Sequence, residues 1–385
     1  MSNRKNHKLR LVTQLASILF SRKKQRRLFH CIYRCLVDFV KSNNLPEWQR
    51  RNQCGSDLVR VGMIGAGRFA RSHLEVLCST DHVRVVAVCS TGSEQSRQLA
   101  TEFGIESVYS DLEHFLKDET CDAYFVVVPV LQMHEVAMQV LSQGKPVFLE
   151  KPAGVSSFQT QQLIDQAEKF GTYAMVGYNR RFYSVVEHAL AALAGCGPIR
   201  GGILEVPEMI SSWRSSGNYD SAVYDNWMFV QSSHAIDLFR FLLGNVKSVK
   251  TINVPKADCQ NAAASFNSLV EFESGVSGHM MALWDVHPRW RMRIVAERGS
   301  IEFDGLETAY FCNSQNERIA VPIDQIDTEF RCGLFVQDMK FIEAVQSQTR
   351  PTVPACLLED AFETNTLIER LFIDSVSAET LQIAS

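Results

Sequence analysis

The stretch LVRVGMIGAGRFARSHLEVL, residues 58–77, predicts the fold of the chain that follows it. An apolar run leads directly into glycines, and apolar residues at helical spacing come next, as in a strand–turn–helix unit. The pattern fits G-x-G-x-x-G/A: the first glycine permits a tight turn, the second lets backbone approach a pyrophosphate, and the small third residue allows close helix–strand packing. We therefore expect a dinucleotide to bind here, with its phosphates at the helix N-terminus. The residues assigned to it are Gly65, Ala66, Gly67, Arg68, Phe69 and Ala70.

Strand and helix patterns alternate beyond this turn. Short apolar runs occur at 83–89 (VRVVAVC), 122–128 (DAYFVVV), 146–149 (PVFL) and 173–177 (YAMVG). A helix is predicted over HEVAMQVLSQGK, residues 134–145, between two of them. This alternation predicts an α/β fold with an N-terminal Rossmann domain, a doubly wound parallel sheet.

The second strand ends without the acidic residue that usually binds the adenosine ribose of NAD. The place about 20 residues beyond the glycines reads Cys89-Ser90-Thr91-Gly92. The missing negative charge removes a repulsion against a 2′-phosphate, although no arginine follows directly. Ser90 and Thr91 are the expected ribose contacts, and the cofactor is NAD or NADP, with NADP favoured.

The run VFLEKPAGV, residues 147–155, places Glu150, Lys151 and Pro152 at the end of a predicted buried strand. Ligands bind at the carboxyl ends of strands in such sheets, so we expect Lys151 to face the cofactor crevice. Oxidation of an alcohol requires a proton acceptor near the carbon that loses hydride, and a cation stabilises the developing alkoxide. A lysine at this position suits that chemistry.

Several motifs together resemble the glucose–fructose oxidoreductase / inositol dehydrogenase / MocA (Gfo/Idh/MocA) family. They are, in the family's order, GAGRFA (65–70), HEVAMQVLSQGKPVFLEKP (134–152), VGYNRRF (176–182), SHAIDLFRFLLG (233–244), RMRIVAERGSIEFDG (291–305) and EDAFETNTLIERLFIDS (359–375). The resemblance covers about residues 58–380. It implies an NAD(P)-binding Rossmann domain over 58–178. Over 179–385 it implies a substrate-binding α/β domain with a large open mixed sheet and C-terminal helices that pack back.

The resemblance also implies a reaction and roles for individual residues. The reaction is hydride transfer between a nicotinamide and a secondary alcohol or ketone carbon. Lys151 would hydrogen-bond the reacting hydroxyl, and His234 matches the family's helix-borne histidine, the acid/base partner of that lysine. Val128 and Pro129 stand where the family has Thr-Pro beside the nicotinamide. Glu150 is expected to anchor the turn or to contact the cofactor ribose.

One departure from the family concerns the substrate side. Many sugar and inositol dehydrogenases of the family carry Asp or Asn four residues before this histidine, where the present chain has Val230. Asp225 or Asn226 in YDNWMF (224–229), which overlaps the end of the irregular stretch 211–227, is expected to replace it if the loop before the histidine is rebuilt. The substrate-side candidates are Asn179, Arg180, Asp225, Asn226 and Asp237.

The first 57 residues differ in charge from the rest. They hold 13 Lys and Arg against 3 Asp and Glu, a net of +10, whereas the remainder holds 26 against 40, a net of −14. An acidic body argues against nucleic acid as the main ligand. Apolar residues at helical spacing in residues 1–57 predict a basic amphipathic helical extension with a linker. It would contact an anionic membrane surface, a partner, or its own body or dimer mate.

Cysteine usage indicates the compartment. The 11 cysteines lack C-x-x-C pairs and zinc-ligand spacing, which is typical of reduced thiols in a cytosolic protein without a metal site. No long uncharged apolar run occurs. We expect a cytoplasmic protein whose basic extension offers a peripheral contact with the inner membrane surface.

These observations favour an NAD(P)-dependent dehydrogenase or reductase acting on a sugar, sugar nucleotide or cyclitol. We expect a small sugar-like substrate and a homo-oligomer formed through the open sheet. Two alternatives stay open. One is a reductase of a non-sugar carbonyl or imine, because the family's aspartate is missing. The other is a catalytically quiet nucleotide-binding regulator. The presence of both Lys151 and His234 argues against it, because a regulator would be expected to have lost at least one of them.

Overall fold

A computed structural model describes residues 58–118, 120–255, 263–287, 289–373 and 375–377. The predicted basic extension, residues 1–57, lies outside the described residues. Among the described residues, no helix combines the length and the apolar character needed to cross a membrane.

The glycine-rich turn belongs to a seven-stranded sheet, counted over the described residues, with strand order β15-β6-β5-β4-β1-β2-β3. Strands β1 to β6 are parallel, and β15 pairs antiparallel with β6. The strands are β1 Val59–Ile64, β2 Val83–Cys89, β3 Ser107–Tyr109, β4 Ala123–Val126, β5 Val147–Leu149, β6 Ala174–Val176 and β15 Cys356–Leu357. Most of their apolar side chains are buried because helices cover both faces of such a sheet, whereas Val108 on the edge strand β3 is exposed.

Helices alternate with these strands as the sequence predicts. They are α1 Arg68–Leu77, α2 Ser93–Phe103, α3 Leu112–Asp118, α4 Val130–Leu141 and α5 Ser157–Lys169. The predicted bounds of α4, 134–145, were wrong: the helix begins at Val130 rather than at His134, and it ends at Leu141 rather than at Lys145. Pro129 occupies the N-cap position, where a missing N–H costs nothing and the fixed φ suits the helix start.

The second sheet is mixed and has nine strands within the described residues, in the order β14-β13-β12-β11-β7-β10-β9-β8-β16. Pairs β7–β10 and β8–β16 are parallel and the other pairs are antiparallel. The strands are β7 Ile199–Glu208, β8 Val246–Pro255, β9 Ala263–Phe272, β10 Ser277–Trp284, β11 Arg291–Ala296, β12 Gly299–Asp304, β13 Thr308–Asn313, β14 Arg318–Ala320 and β16 Ser375–Ser377. The expected fold class, a Rossmann sheet plus a large mixed sheet, is confirmed.

One face of the mixed sheet packs on helices and the other is open. Along β7, β10 and β11 buried side chains alternate with exposed or half-buried ones, which is the pattern of a half-covered sheet. Apolar Ile203 and Leu269 are exposed. The remaining helices are α6 Ser184–Leu193, α7 Ile210–Ser215, α8 Ser221–Asp225, α9 Ser233–Leu243, α10 Ile326–Glu329, α11 Leu334–Gln346 and α12 Leu358–Ile373.

Two features of this half differ from the expectation. Most of the stretch predicted to be irregular, 211–227, forms the short helices α7 and α8. Tyr224 and Trp227 stack there with ring centroids 5.8 Å apart, so aromatic packing stabilises helices that periodicity did not reveal. The C-terminal part also completes the first sheet, because β15 adds a strand beside β6 that the sequence did not predict. Helices α11 and α12 pack on α1 and α5, in line with the expectation that C-terminal helices pack back.

A buried ion network ties the two sheets together. Arg181, on the 3₁₀ turn Asn179–Phe182 that follows β6, donates from Nε to Asp237 on α9 at 2.7 Å. It also pairs with Asp360 on α12, which in turn pairs with Arg240 on α9. Both arginines and Asp237 are almost fully buried. Removal of one member leaves a partner charge buried without compensation, which is far costlier than loss of a surface pair.

We predict that Arg181→Met lowers the free energy of unfolding by ~3–5 kcal/mol, because Asp237 is then left buried and unpaired. Arg84→Met removes the exposed arginine that pairs with Glu106 and should change it little. Urea unfolding followed by circular dichroism measures both. Equal losses in the two variants would contradict the role given to the network.

Candidate active site

A cavity of about 360 Å³ lies at the carboxyl ends of the parallel strands, between the glycine-rich turn and the second half of the chain. Both residues proposed for catalysis, Lys151 and His234, line it. The complete lining is Phe69, Glu150, Lys151, Asn179, Arg180, Tyr183, Gln231, His234, Glu307, Arg331, Cys332 and Leu334.

Lys151 reaches the cavity because β5 ends two residues before it. Its ammonium Nζ donates to the backbone carbonyl of Val230 at 2.5 Å. Burial lowers the pKa of Lys151 to about 8; Arg180 and Arg331 add to this, and Glu150 opposes it. The lysine is therefore poised to gain or lose a proton close to neutral pH.

Val230 supplies a backbone group where the family has a polar side chain. It lies in a turn of π-helix, Met228–Ser232, immediately before α9, and such turns are common at functional sites. Asp225 and Asn226 do not line the cavity: Asp225 pairs with Arg214 at 3.0 Å, and Asn226 donates to the carbonyl of Ala222 at 2.8 Å. A carbonyl oxygen thus stands against the lysine in place of a carboxylate.

His234 lies in the first turn of α9 and is buried. Burial, reinforced by the charges of Arg180, Lys151 and Arg331, holds the pKa of His234 well below its usual range. Its Nδ1 has no hydrogen-bond partner among the described residues. The sequence suggested a histidine that titrates near neutrality, whereas in this environment the imidazole is neutral and the lysine is the group poised there.

Glu150 anchors the turn that carries the lysine. One carboxylate oxygen accepts from the backbone N–H of Lys151 at 3.1 Å, and the other lies 3.2 Å from Nε2 of His73. Nδ1 of His73 lies 2.7 Å from Asp338 on α11. Burial alone would lower the pKa of His73, but the two carboxylates outweigh it and raise this pKa to about 10. A buried imidazolium therefore holds Glu150 in place.

The glycine-rich turn has the shape that a dinucleotide requires. Gly65 has φ +111°, and a Cβ there would lie 2.0 Å from the carbonyl oxygen of Val127. Gly67 is the N-cap of α1, has ordinary backbone angles, and would place a Cβ in open space. The first turn of α1 carries no acidic residue, and Ala70 is fully buried against the sheet. The turn therefore fits a bound pyrophosphate.

The other predicted cofactor residues lie at the same edge of the sheet. Ser90 and Thr91 follow β2, and the Ser90 hydroxyl accepts from the N–H of Gly92 at 3.3 Å. Val128 and Pro129 connect β4 to α4, next to the glycine-rich turn. No acidic residue stands at the end of β2 before Gly92, as the sequence indicated.

The substrate-side candidates separate into two groups. Asn179 and Arg180 line the cavity, and Asn179 donates to the carbonyl of Cys332 at 2.9 Å. Asp237 belongs instead to the buried ion network with Arg181. The 3₁₀ turn thus contributes Asn179 and Arg180 to the cavity and Arg181 to the ion network.

Sequence reasoning missed several charged residues at the site, among them Arg331 and Glu208. Arg331 lines the cavity from the loop before α11, and no motif signals it. Glu208 ends β7 and is buried, and its carboxylate accepts from the hydroxyl of Ser232 at 3.1 Å. Burial raises the pKa of Glu208, while the nearby hydroxyl, two indole groups and Lys151 act the other way. The only sequence signal for Glu208 was a carboxylate at an apolar strand end.

Two family models match the chain. An oxidoreductase family with an NAD-binding Rossmann fold matches residues 59–178, and the GFO/IDH/MocA C-terminal domain matches residues 207–302.

Individual proteins are similar to the chain at low identity. The 4-carboxy-2-hydroxymuconate-6-semialdehyde dehydrogenase of Sphingobium sp. is 22% identical over 320 residues, which is 79% of this chain and 96% of that protein. The scyllo-inositol 2-dehydrogenase (NAD(+)) of Bacillus subtilis is 25% identical over 234 residues, 58% of this chain and 67% of that protein.

A solved structure, UDP-N-acetylglucosamine 3-dehydrogenase from Acidithiobacillus ferrooxidans, superposes with a TM-score of 0.66 at 19% identity. It covers 82% of this chain and 97% of its own. The order of motifs, the two sheets and both family models agree, and the chain therefore belongs to the Gfo/Idh/MocA family of oxidoreductases, with an NAD-binding Rossmann fold.

Proposed function

We propose that the chain is an NAD(P)-dependent dehydrogenase or reductase that acts on a secondary alcohol or ketone of a sugar, sugar nucleotide or cyclitol. The observation that carries this proposal is the meeting of Lys151 and His234 in one cavity beside the glycine-rich turn. The named relatives and the solved structure include dehydrogenases of a cyclitol and of a sugar nucleotide.

The nicotinamide dinucleotide, when bound, exchanges hydride with the reacting carbon. The neutral amine of Lys151 accepts the proton of the substrate hydroxyl in oxidation, and its ammonium returns the proton in reduction. His234 stays neutral and positions the same oxygen by a hydrogen bond. The Val230 carbonyl aims the amine, and Glu150, held by His73, fixes the turn. The burial that shifts the pKa values of Lys151 and His234 also strengthens each of these interactions.

A second candidate function keeps the same machinery for a non-sugar carbonyl. The Sphingobium relative is named for a semialdehyde, and the chain has Val230 where many sugar and inositol dehydrogenases of the family carry Asp or Asn. A turnover screen that includes aldehydes, cyclitols and sugar nucleotides separates the two candidates.

The proposal extends to assembly. The open face of the mixed sheet, with exposed Ile203 and Leu269, would pair with a second copy of the chain. The basic residues 1–57 would give a reversible, salt-sensitive contact with an anionic membrane or a partner.

Gly67→Val should abolish dinucleotide binding without unfolding the protein. The new side chain enters space that is open here and that a pyrophosphate would use, and its backbone angles suit any residue. Gly65→Val is the matched comparison: it should destabilise the fold, because its Cβ collides with the carbonyl of Val127. Titration calorimetry with NAD and NADP and thermal unfolding measure both. Unchanged binding by the Gly67 variant would contradict the cofactor site.

The rate of alcohol oxidation should depend on the ionisation of Lys151. Because the neutral amine is required and its pKa is about 8, kcat/KM should rise about tenfold per pH unit below pH 8 and level off above it. Reduction should show the opposite trend. His234 adds no inflection near neutrality, since its pKa lies well below its usual range.

Lys151→Met should lose roughly two or more orders of magnitude in both directions and keep cofactor affinity. Lys145→Met, at an exposed lysine before the same strand, is the control. A flat pH profile, or near wild-type turnover by Lys151→Met, is the result that would refute this mechanism.

NADP should bind at least as tightly as NAD, because no carboxylate at the end of β2 repels the 2′-phosphate. Ser90→Asp should weaken NADP selectively, and Ser90→Asn, of similar size but neutral, should not. Calorimetric Kd values for both cofactors test this. A preference of wild type for NAD by more than tenfold, about 1.4 kcal/mol, would show the prediction to be wrong.

A further inference from the structure

Two arginines line the cavity together with Lys151. Arg180 follows β6 on the 3₁₀ turn, and Arg331 lies in the loop before α11. Both lie close enough to act on the charges of Lys151 and His234, whose pKa values they lower. The chain therefore concentrates positive charge at the place where the substrate would bind.

Arg180 forms no ion pair with the described residues, and the carboxylate nearest in effect, that of Glu307, is exposed and acts on it only through its charge. The Nε of Arg180 is buried and has no hydrogen-bond partner among the described residues, and none of their carboxylates pairs with its guanidinium. The guanidinium stacks instead on aromatic rings, 4.9 Å from the centroid of Trp290 and 5.9 Å from that of Tyr183. These cation–π contacts hold the guanidinium at the cavity, and they do not satisfy its buried Nε–H donor.

Arg331 shows the same arrangement. Its guanidinium lies over the ring of Phe69, 4.5 Å from the centroid, and forms no ion pair with the described residues. Arg181, which follows Arg180 in the sequence, is different because the carboxylates of Asp237 and Asp360 pair with it. A buried cation without an acidic partner is costly to the fold. The buried donor of Arg180 beside the cavity therefore indicates a group held for a ligand, and Arg331, which is exposed, adds a second unpaired cation at the cavity wall.

The carboxylates near the cavity do not cancel this charge. Glu150 is already held by His73, and Glu208 does not line the cavity and is hydrogen-bonded by Ser232. Glu307 lines the cavity but is exposed. His234 is neutral. The balance over the cavity wall is positive.

We propose that the substrate carries a carboxylate near its reacting carbon, and that Arg180 and Arg331 bind this carboxylate. The substrate class is then a sugar acid or a carboxylated cyclitol or polyol rather than a neutral sugar. The inference rests on the proposed function and narrows it. A planar guanidinium matches a carboxylate with two parallel hydrogen bonds.

Size favours a compact acid over a nucleotide-linked sugar. The cavity of about 360 Å³ includes Phe69 of the glycine-rich turn, so the cofactor would share the space. Bound carboxylate would also offset the cations that depress the pKa values of Lys151 and His234, which couples anion binding to proton uptake.

Binding of D-glucuronate, gluconate, glucose 6-phosphate and glucose to the full-length protein, saturated with oxidised cofactor, tests the proposal by calorimetry. We expect the carboxylates to bind at least tenfold more tightly than glucose, and more weakly as salt rises. Arg180→Gln should weaken glucuronate binding at least tenfold and glucose binding less than twofold, and Arg180→Lys should recover part of the loss. Arg200→Gln, at an exposed arginine paired with Glu297, should bind like wild type.

Equal affinities for glucuronate and glucose in wild type, or equal losses for both in Arg180→Gln, would overturn the inference. A preference for glucose 6-phosphate over both carboxylates would overturn the carboxylate assignment. If Arg180→Gln fails to fold, Arg331→Gln carries the same test. The binding measurements do not depend on turnover. If the protein exchanged hydride with none of a broad panel of substrates, the proposed dehydrogenase activity would be rejected and the carboxylate site would not. Turnover of neutral polyols that is independent of Arg180 would reject the carboxylate site alone.

Discussion

Pairing of the buried charges on Arg181, Asp237, Arg240 and Asp360 is the constraint on which the site depends. Charges taken out of water must be compensated, and these four lie on the turn that directly follows β6 of the first sheet and on the helices α9 and α12. Because the pairing fixes the 3₁₀ turn, the residues before Arg181 are held at the wall of the cavity. The network thus sets where α9, and with it His234, lies relative to the Rossmann sheet.

A second group of buried charges, His73 with Asp338 and Glu150, supports the turn that carries Lys151. His73 is fully buried between Asp338 and Glu150, so α1, α11 and the end of β5 are joined by one imidazolium. Its pKa of about 10 means that this contribution to stability is fully present below the unfolded-state pKa of about 6.5. It is lost as the pH rises through about 10. Glu150 therefore keeps its position across the pH range in which Lys151 titrates.

The departure at Val230 has a consequence for the chemistry. A carboxylate there would raise the pKa of the neighbouring lysine, whereas a carbonyl is only a hydrogen-bond acceptor. Burial and the nearby arginines then determine the ionisation of Lys151, and its pKa falls to about 8. In the proposed mechanism Lys151, and not His234, carries out the acid/base role that was predicted for the histidine. The same arginines that cause this shift are the donors proposed for a substrate carboxylate.

Local patterns determined a large part of this protein. The glycine spacing after β1, the alternation of strands and helices, and the motif from Glu150 to Pro152 identified the Rossmann sheet and the family. These signals are short-range, since a tight turn needs Gly65 and a buried parallel strand needs an unbroken apolar run. They also brought Lys151 to the edge of the sheet, because strand ends of a parallel sheet share one edge.

Only the tertiary structure decided which charges are paired and which are free. Arg180 and Arg181 are adjacent in sequence and identical in type, yet Arg180 faces the cavity whereas Arg181 is enclosed by acidic groups. Asp237 looked like a substrate contact and lies in the ion network instead, while Arg331 and His73 gave no signal. The ionisation of Lys151 and His234 likewise depends on burial and on charges that are distant in sequence, and such long-range proximity is absent from any local pattern.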